Sequence, residues 1–373
     1  MHYRDTWVAV NLDRIQANVS RIKQHSGYEQ LFAVVKANAY GHGDVEVAGA
    51  ALEAGATHLS VAFLDEALKL RRAFSQVPIL VMGPVRVEDL ELVAEQQIDV
   101  IAHDLAWLQA AQGYRGKSVR LHLKIDSGMH RIGLQSADEF SQALTLVAQV
   151  PSLKLVGLFT HFATADGNEA FYQRQVEQVT AITSGFDLSQ LECVHESNSA
   201  ALLHHTKQPH TNAGRLGIAM YGLAPSTTLP LPFALEQAFS LHSKVTQVKT
   251  VKAGESVGYG ATFTAEEDVR IASISIGYAD GWLRYHQGRP VEILGKTYPI
   301  VGRVCMDQLM IMVDNNVKVG DQVNLLNDVV TVDMAAQDLR TINYEIVCSI
   351  SDRVPRFYYK AGQKVSERND RFN

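Results

Sequence analysis

A lysine at the end of a short apolar run is the first residue in this sequence that suggests chemistry. The run, residues 31–35, reads LFAVV and ends at Lys36, and the loop after it carries Asn38, Tyr40 and His42. A short apolar run bounded by glycine and polar residues is typical of a buried strand, so Lys36 is expected where the strand leaves the core. Burial lowers the pKa of a lysine, and its neutral amine attacks carbonyl carbons. Taken alone, the pattern favours a lysine that extends from a strand end to solvent.

Other polar residues also follow short apolar runs. Lys124, His161, Asn198 and Arg215 each end or follow a predicted strand, as Lys36 does. If these strands run parallel in one closed barrel, their carboxyl ends meet on one face and bring these side chains together. The sequence therefore indicates one face of a β/α domain as the place to look for a site.

The elements that must position these residues alternate between strand and helix patterns. Strands are predicted at residues 31–35, 58–62, 78–82, 99–102, 119–125, 155–160 and 193–195, and residues 212–222 contain the last strand-then-helix segment. About eight strand-then-helix units of this length favour a closed eight-stranded β/α barrel. A doubly wound open sheet is the alternative, because alternation alone does not prove closure.

A change of character near residues 225–232 (PSTTLPLP) predicts a domain boundary. Residues 1–225 are assigned to the barrel and residues 226–373 to a compact, mostly antiparallel β domain, which the first strand, residues 7–10, is able to join. Short alternating strands are predicted there at residues 241–251, 269–276, 291–294, 299–304, 310–313 and 322–325.

The composition is that of a globular enzyme. Of the 373 residues, 46% are hydrophobic and 20% are charged, and the net charge of −6 disfavours binding to nucleic acid or to an anionic membrane. The three cysteines are too few and too scattered for a disulfide framework or a zinc site, so no metal is expected. Charges inside the first apolar run disfavour a signal peptide, and no apolar stretch reaches membrane-spanning length. A cytoplasmic protein is expected.

A series of motifs along the chain resembles the alanine racemase family. VVKANAYGHG resembles that family's pyridoxal-phosphate lysine signature, and the other motifs follow it in order: LKIDSGMHRIG, FTHFATAD, SNSAA, RLGIAMYGLAPS, VGYGATFTA, GYADGW, GRVCMDQ and TINYEI. One lysine and one loop would be weak evidence, whereas an ordered series over nearly the whole chain is strong. The resemblance implies a barrel followed by a β domain, pyridoxal 5'-phosphate as cofactor, alanine as substrate, and a head-to-tail homodimer with shared active sites.

The resemblance implies two catalytic bases. Lys36 resembles the lysine that carries the cofactor, and Tyr259 resembles the base for the opposite face, contributed by the partner subunit. Racemisation requires proton transfer on both faces of a planar carbanion, which two opposed bases provide. A tyrosine with an ordinary pKa of about 10 needs cationic neighbours to serve as a base.

The resemblance also implies the residues around the cofactor. His161 and Arg215 resemble the network that tunes the bases, with Arg215 hydrogen-bonded to the pyridine nitrogen. An arginine there donates without giving up its proton, which leaves the ring a weaker electron sink than a pyridinium. The further cofactor-binding residues, mostly around the phosphate, are Tyr40, Asn198, Ser199, Gly217, Ile218 and Tyr344.

For the substrate, Arg131 resembles the residue that holds the carboxylate. Lys124 resembles a carbamylated lysine, whose negative charge would accept a hydrogen bond from Arg131. His130 stands where the family commonly has glycine. The residues implied to line the partner's active site are Met306, Asp307 and Tyr278, and those implied to line the substrate entrance are Asp166, Arg284, Arg303 and Ile342.

Other functions remain open at the level of sequence. A racemase of broader range or a basic-amino-acid decarboxylase has the same architecture, but such decarboxylases place an acidic residue, rather than Arg215, against the pyridine nitrogen. A non-catalytic pyridoxal-phosphate carrier shares the barrel but lacks the second domain, so Tyr259 and the CMDQ motif argue against it. The sequence does not separate a biosynthetic role in cell-wall synthesis from alanine breakdown.

Overall fold

The computed structural model describes residues 3–371 of the 373-residue chain. The chain divides into two compact units. One, the barrel unit, comprises Ile15–Ala39 and Asp44–Leu235, and the other, the β unit, comprises Met1–Arg14, Tyr40–Gly43 and Glu236–Asn373. The first strand, β1 (Thr6–Asn11), belongs to the β unit.

Eight parallel strands close the barrel. They are β2 (Gln30–Val34), β3 (His58–Val61), β4 (Ile79–Val81), β5 (Ile98–Ala102), β6 (Val119–Lys124), β7 (Leu153–Phe159), β8 (Cys193–His195) and β9 (Ala213–Leu216). Each strand pairs with the next, and β9 pairs with β2 in a register that aligns Gln30 with Ala213. The predicted closed barrel is therefore confirmed, and the open-sheet alternative is wrong.

Helices connect the barrel strands. They span Leu12–Ser26, Asp44–Glu53, Leu64–Ala73, Leu90–Glu95, Leu105–Ala110, Ala137–Ala148, Glu169–Ile182 and Ser199–His204. Polar residues begin several of them: Asp104, Ser136 and Asn168 each accept a hydrogen bond from the backbone N–H three residues later. These side chains satisfy amides that have no partner within the helix, which fixes where each helix begins.

The barrel interior is apolar in part and polar in part. Six buried residues form its apolar cluster: Phe32, Leu80, Ile101, Phe159, Cys193 and Ala213. Strand β6, however, alternates in the sequence VRLHLK, with Leu121 and Leu123 on one side and Arg120, His122 and Lys124 on the other. The imidazole of His122 contacts Phe32 and His195 inside the barrel, so the polar side of β6 faces inward.

The described residues of the β unit form a mostly antiparallel nine-stranded sheet and a separate two-stranded one. Its strands after the barrel are β10 (Phe239–Val251), β11 (Ser256–Val257), β12 (Phe263–Thr264), β13 (Val269–Ile274), β14 (Pro290–Ile293), β15 (Lys296–Val301), β16 (Leu309–Val313), β17 (Gln322–Leu326), β18 (Arg356–Lys360) and β19 (Gln363–Arg368). The long strand β10 pairs with β1, β13 and β17, so the sheet is built around it. Strands β1 and β18 form a parallel pair, while the other pairs of the unit are antiparallel.

Four elements near the C-terminus were not predicted: helices Val332–Leu339 and Asn343–Ser349, and strands β18 and β19. Strand β19 reads QKVSER and has no apolar alternation that would predict a strand. It is mostly exposed and is held by backbone pairing with β18. Such a strand depends on its neighbour rather than on its own pattern. Within residues 3–371 we find no helix with the length and apolar character that crossing a bilayer requires.

Candidate active site

Lys36 follows β2 and begins an unusual backbone turn. The next four residues, Ala37, Asn38, Ala39 and Tyr40, all have φ between 51° and 53°, the left-handed region that side chains other than glycine rarely adopt. Each such residue costs about 1–2 kcal/mol, so the surrounding structure must hold the turn in place. Sequence reasoning predicted a loop here but not its handedness. Backbone strain of this kind is typical of functional sites.

Glu66 holds this turn. Its Oε1 accepts from the N–H of Ala37 at 2.6 Å, and its Oε2 accepts from the N–H groups of Ala62 and Phe63 at 2.8 and 3.1 Å. One carboxylate thus joins the turn after β2 to the end of β3. Sequence analysis missed Glu66, although a glutamate in the first turn of a helix that follows a barrel strand is a signal for such a contact.

Arg215 lies buried at the end of β9, with an exposed fraction of 3%. Its Nη1 donates to the carbonyl oxygen and to Nδ1 of His195, and its Nη2 hydrogens are shared among the carbonyl oxygens of Thr160 and Glu196 and, at 3.3 Å, Nδ1 of His161. All four Nη hydrogens therefore have acceptors. No described residue accepts from the Nε–H group, so this donor is available to a ligand. Burial lowers the pKa of Arg215 to about 10, which still leaves it charged at neutral pH.

His161 and Lys124 lie beside this guanidinium. Nδ1 of His161 is 3.3 Å from Nη2 of Arg215, and burial together with Arg215 lowers the pKa of His161 well below its usual range. The charge of Lys36 acts on His161 in the same direction. Burial, followed by the repulsion of Arg215, lowers the pKa of Lys124 to about 7. The structure thus brings four of the predicted strand-end residues together in one electrostatic environment.

The hydroxyl of Ser199 organises a cluster of backbone amides. Its Oγ accepts from the N–H of Gly217 at 2.9 Å and from that of Ala219 at 3.4 Å. Between them, the N–H of Ile218 has no acceptor among residues 3–371. The neighbouring Asn198 caps the helix with Oδ1, which accepts from Ala201 at 3.0 Å, and its Nδ2 donates to the carbonyl of Phe162. Two of these three consecutive N–H groups converge on one hydroxyl oxygen, and clustered backbone N–H groups suit an anion.

Arg131 follows β6 in an exposed segment. Its side chain has no hydrogen-bond partner in the part of the chain that the structure describes. The preceding residue, His130, has φ of 54°, which explains why glycine suits this position. Asp126 fixes the segment, because its Oδ1 accepts from the backbone N–H groups of Gly128 and His130 at 3.1 and 2.9 Å.

In the β unit, Tyr40 and Tyr344 lie close together. Their ring centroids are 5.8 Å apart, and Tyr40 is buried with 7% of its surface exposed. Burial and the neighbouring Tyr344 raise the pKa of Tyr40, which keeps its hydroxyl protonated and able to donate. Tyr344 lies on the helix Asn343–Ser349, which sequence analysis did not predict.

The β unit also exposes the predicted residues of the GYADG and CMDQ motifs. The N–H of Tyr278 donates to the carbonyl of Cys305 at 3.0 Å, so the short turn Tyr278–Asp280 lies against the segment that carries Met306. A Cβ on Gly277 would lie 2.2 Å from the same carbonyl, so only glycine fits there. Tyr278 and Met306 are 39% and 53% exposed.

Tyr259 lies at the tip of another turn of the β unit, between Gly258 and Gly260. Its side chain is 73% exposed, and both glycines have positive φ. The turn is held against Arg303, because a Cβ on Gly260 would lie 2.9 Å from a guanidinium nitrogen of that residue. Asp307 pairs with Arg353 at 2.7 Å. The tyrosine is thus presented outward by a well-defined backbone.

Two family models match the chain in order. Residues 10–225 match "Alanine racemase, N-terminal domain", and residues 238–358 match "Alanine racemase, C-terminal domain". The chain belongs to the alanine racemase family. The resemblance seen in the sequence motifs is therefore confirmed, and the protein is an isomerase of the racemase type.

Individual alanine racemases resemble the chain over nearly its whole length. Alanine racemase 1 of Bacillus subtilis (strain 168) is 44% identical over 376 residues, which cover 98% of this chain and 96% of that protein. The crystal structure of alanine racemase from Bacillus anthracis with bound L-Ala-P superposes with a TM-score of 0.93 at 43% identity, covering 99% and 98% of the two chains. A histidine racemase from Leuconostoc mesenteroides superposes with a TM-score of 0.91 at 30% identity, covering 96% and 99%.

In residues 3–371 no group of three or more His, Cys, Asp or Glu side chains is placed to hold a metal ion. The polar groups of the barrel unit instead offer nitrogen donors, an amide cluster and a lysine, which together suit an anionic aromatic ligand.

Proposed function

We propose that this chain interconverts L-alanine and D-alanine with pyridoxal 5'-phosphate, using Lys36 and Tyr259 as opposed bases. The observation that carries the proposal is Arg215, whose four Nη hydrogens are occupied by protein acceptors while its Nε–H has none among the described residues. A pyridine nitrogen is an acceptor that this one donor fits. Because the guanidinium stays charged, it donates without transferring its proton to the ring.

The donors available for the phosphate also fit this cofactor. Ser199, Gly217 and Ile218 contribute a hydroxyl and backbone N–H groups in the barrel unit, and Ser199 Oγ already marks the point at which two of those amides converge. We assign Tyr40 and Tyr344 of the β unit to the same group, since the raised pKa of Tyr40 keeps its hydroxyl a donor. Asn198 supports the cluster by capping the helix that begins at Ser199.

When bound, pyridoxal phosphate supplies the electron sink that makes the α-proton of an amino acid removable. The protein must then hold the cofactor, orient the substrate and move a proton on each face. We assign Lys36 to the first task and to one face, and its position at a strand end, in a turn that Glu66 fixes, supports this assignment. Its amine, once released from carrying the cofactor, takes and returns the proton on that face.

Tyr259 serves the other face in our proposal, from the partner subunit. Its 73% exposure leaves the phenol available to another chain, and the adjacent turns expose Tyr278 and Met306 as well. His161 accepts from Arg215 at Nδ1, which leaves Nε2–H as the donor that this neutral imidazole offers to a phenol oxygen. A donor that favours the phenolate form makes tyrosine a stronger acid and a usable base near neutral pH.

The substrate carboxylate is assigned to Arg131. Its guanidinium has no protein acceptor among the described residues, and two parallel N–H···O bonds match a carboxylate. Met306, Asp307 and Tyr278 of the partner would line the space around the substrate methyl group. Asp166, Arg284, Arg303 and Ile342 are proposed for the entrance, where a narrow opening would select small side chains.

We also propose that Lys124 is carbamylated. Its pKa of about 7 leaves much of the amine neutral at neutral pH, and carbon dioxide reacts with the neutral form. The modification converts one of several clustered cations into an anion, which relieves its repulsion with Arg215 and Arg131. Protein equilibrated with bicarbonate should gain the mass of one carbon dioxide, and Lys124→Met should not.

The proposed assembly is a homodimer, and the proposed compartment is the cytoplasm. Exposed Tyr259, Tyr278 and Met306 give the β unit an apolar surface of the kind that subunit interfaces cover. All three cysteines of the chain are free, as expected in a reducing compartment. Cell fractionation tests the location. Whether the D-alanine is used for peptidoglycan or the reaction serves alanine breakdown depends on the partner enzymes of the cell.

A racemase of broader range is the second candidate. The histidine racemase of similar structure is the observation that favours it, because the same architecture there belongs to a protein named for a larger substrate. Rates with L-alanine, L-serine and L-histidine separate the two candidates. Alanine as the fastest substrate by about tenfold or more supports the first.

The deciding experiment combines cofactor trapping with proton exchange. Protein saturated with pyridoxal phosphate is reduced with borohydride and digested, and mass spectrometry should locate the phosphopyridoxyl group on Lys36; attachment elsewhere contradicts the proposal. In heavy water, L-alanine should gain α-deuterium while it loses optical rotation. Exchange without inversion would leave one working base and remove Tyr259 from the mechanism.

A further inference from the structure

A line of polar side chains crosses the barrel interior below Arg215. Nη1 of Arg215 lies 3.0 Å from Nδ1 of His195, and Nε2 of His195 lies 2.9 Å from Nδ1 of His122. Nε2 of His122 lies 3.4 Å from Oδ2 of Asp99. All four residues are buried, with exposed fractions of at most 5%. Barrel interiors are ordinarily filled by apolar side chains, so a continuous polar line needs an explanation.

The line ends at the opposite side of the barrel from the candidate active site. Oδ1 of Asp99 accepts from Nε of Arg120 at 2.9 Å, and both Nη atoms of Arg120 pair with Glu192 at 3.0 Å. Asp99 and Arg120 lie near the amino-terminal ends of β5 and β6, whereas Arg215 lies near the carboxyl end of β9. The Asp99 carboxylate at this end of the line is therefore paired with the Arg120 guanidinium, which also pairs with Glu192.

The chemistry of the two ends fixes the direction of every hydrogen bond between them. A guanidinium only donates and a carboxylate only accepts. Nδ1 of His195 must accept from Arg215, so the ring carries its proton on Nε2 and donates it to Nδ1 of His122. His122 in turn carries its proton on Nε2 and donates to Asp99. One tautomer of each imidazole satisfies the whole line.

The surroundings hold both rings in place. His195 is stacked between Phe32 and Phe159, with both centroid distances 4.8 Å. A Cβ on Gly157 would lie 2.1 Å from Nδ1 of His122, so only glycine leaves room for that ring. The charged and titratable groups that face His195 are Arg215, His122, His58 and Lys124, and with burial they lower its pKa well below the usual range. It is therefore neutral, as the line requires.

We propose that Asp99, His122 and His195 form a positioning chain that holds the Arg215 guanidinium in one orientation, with Nε–H directed at the bound ligand. The inference rests on the proposed function, in which that ligand atom is the pyridine nitrogen. The chain is not a proton path, because Arg215 donates without giving up its proton. It acts instead by supplying an acceptor of fixed position inside a water-excluded core, where such a bond is strong.

The first test reads the tautomers directly. In the full-length protein with labelled histidines, long-range proton–nitrogen correlation spectra distinguish the Nε2–H from the Nδ1–H form. The His122 and His195 signals are assigned by their loss in His122→Phe and His195→Phe. Both residues should be Nε2–H tautomers at neutral pH. An Nδ1–H signal from either one overturns the proposal, and the result does not depend on cofactor or on activity.

The second test reverses the direction of the hydrogen bonds by replacing one carboxylate oxygen of Asp99 with an NH2 group. In Asp99→Asn, the amide oxygen pairs with the charged Arg120, which leaves an NH2 group to face Nε2 of His122. His122 must then carry its proton on Nδ1, which drives His195 to present an N–H group to Arg215. We expect His122 to change tautomer and kcat to fall about 10- to 100-fold, with little change in the KM for alanine.

Two further variants separate this effect from loss of structure. Glu192→Gln makes the same chemical change one ion pair further out, and it should keep both tautomers and the wild-type kcat. Gly157→Ala displaces the His122 ring without altering charge, and it should lower kcat in the same direction as Asp99→Asn. A fall in kcat with unchanged tautomers in Asp99→Asn, or changed tautomers with unchanged kcat, overturns the proposal. Failure of the parent protein to bind pyridoxal phosphate would instead overturn the proposed function.

Discussion

His161 Nδ1 lies 3.3 Å from Nη2 of Arg215, and this contact determines which nitrogen of the imidazole carries the proton. The guanidinium can only donate, so Nδ1 accepts and Nε2–H faces away from Arg215. Burial and the same guanidinium lower the pKa of His161, which keeps the ring neutral. A single arginine thus sets the tautomer of His161 on one side and of His195 on the other.

The first prediction follows from the number of acceptors around Arg215. Arg215→Lys should retain cofactor but lower kcat by roughly 100-fold, because an ammonium group supplies three donors where the Nη hydrogens of the guanidinium serve five acceptors and Nε–H remains as a further donor. Steady-state kinetics with alanine gives the result. Arg289→Lys, at another buried arginine, in the β unit, is the matched control and should stay near the wild-type rate. Equal rates for both variants would contradict the assigned role.

The second prediction tests whether two subunits share each site. Lys36→Ala and Tyr259→Phe should each be inactive by themselves. A mixed dimer, purified after co-expression with two different affinity tags, should recover about half of the wild-type activity, since one of its two sites has both bases. Dimers of either variant alone serve as controls. If the mixed dimer is as inactive as its parents, the two bases belong to the same chain.

The third prediction concerns stability and pH. In bicarbonate-free buffer, Lys124 has a folded-state pKa of about 7 against an ordinary value of 10.5. Between these values the unfolded chain binds more protons than the folded one, so Lys124 makes stability rise with pH through that window, by up to about 1.4 kcal/mol per pH unit. Lys124→Met should remove this rise. Urea unfolding at several pH values measures the free energy of unfolding. If it depends on pH in the same way in the parent protein and in Lys124→Met, the pKa of Lys124 is not lowered.

The fourth prediction concerns the left-handed turn after Lys36. Glu66→Ala removes the acceptor of three backbone N–H groups, which costs about 1–3 kcal/mol and should loosen the turn. Hydrogen exchange in the peptide that spans Lys36 should become faster, and affinity for pyridoxal phosphate should fall. Asp65→Ala, an exposed neighbour on the same helix, is the control. Unchanged exchange in Glu66→Ala would show that other contacts hold the turn.

Much of the fold followed from local pattern. The eight strand-then-helix units and the short strands after residue 240 were visible as apolar runs, because each buries side chains that its own sequence supplies. Strand β19 was not visible, since backbone pairing rather than apolar burial forms it. Helix Asn343–Ser349 was also missed, although the motif that contains Tyr344 pointed to the position itself.

The sequence by itself identified the residues to which we assign the chemistry, since Lys36, Arg131, His161, Arg215 and Tyr259 stand in motifs that could be read one after another. Only the tertiary structure decided which groups surround them. Closure of the barrel turned the polar side of β6 inward, set His122 beside Gly157, and gave the Nη atoms of Arg215 five acceptors while Nε–H remained as a donor. The physical reason is that hydrogen-bond direction and pKa depend on neighbours that are distant in sequence, and no local pattern contains them.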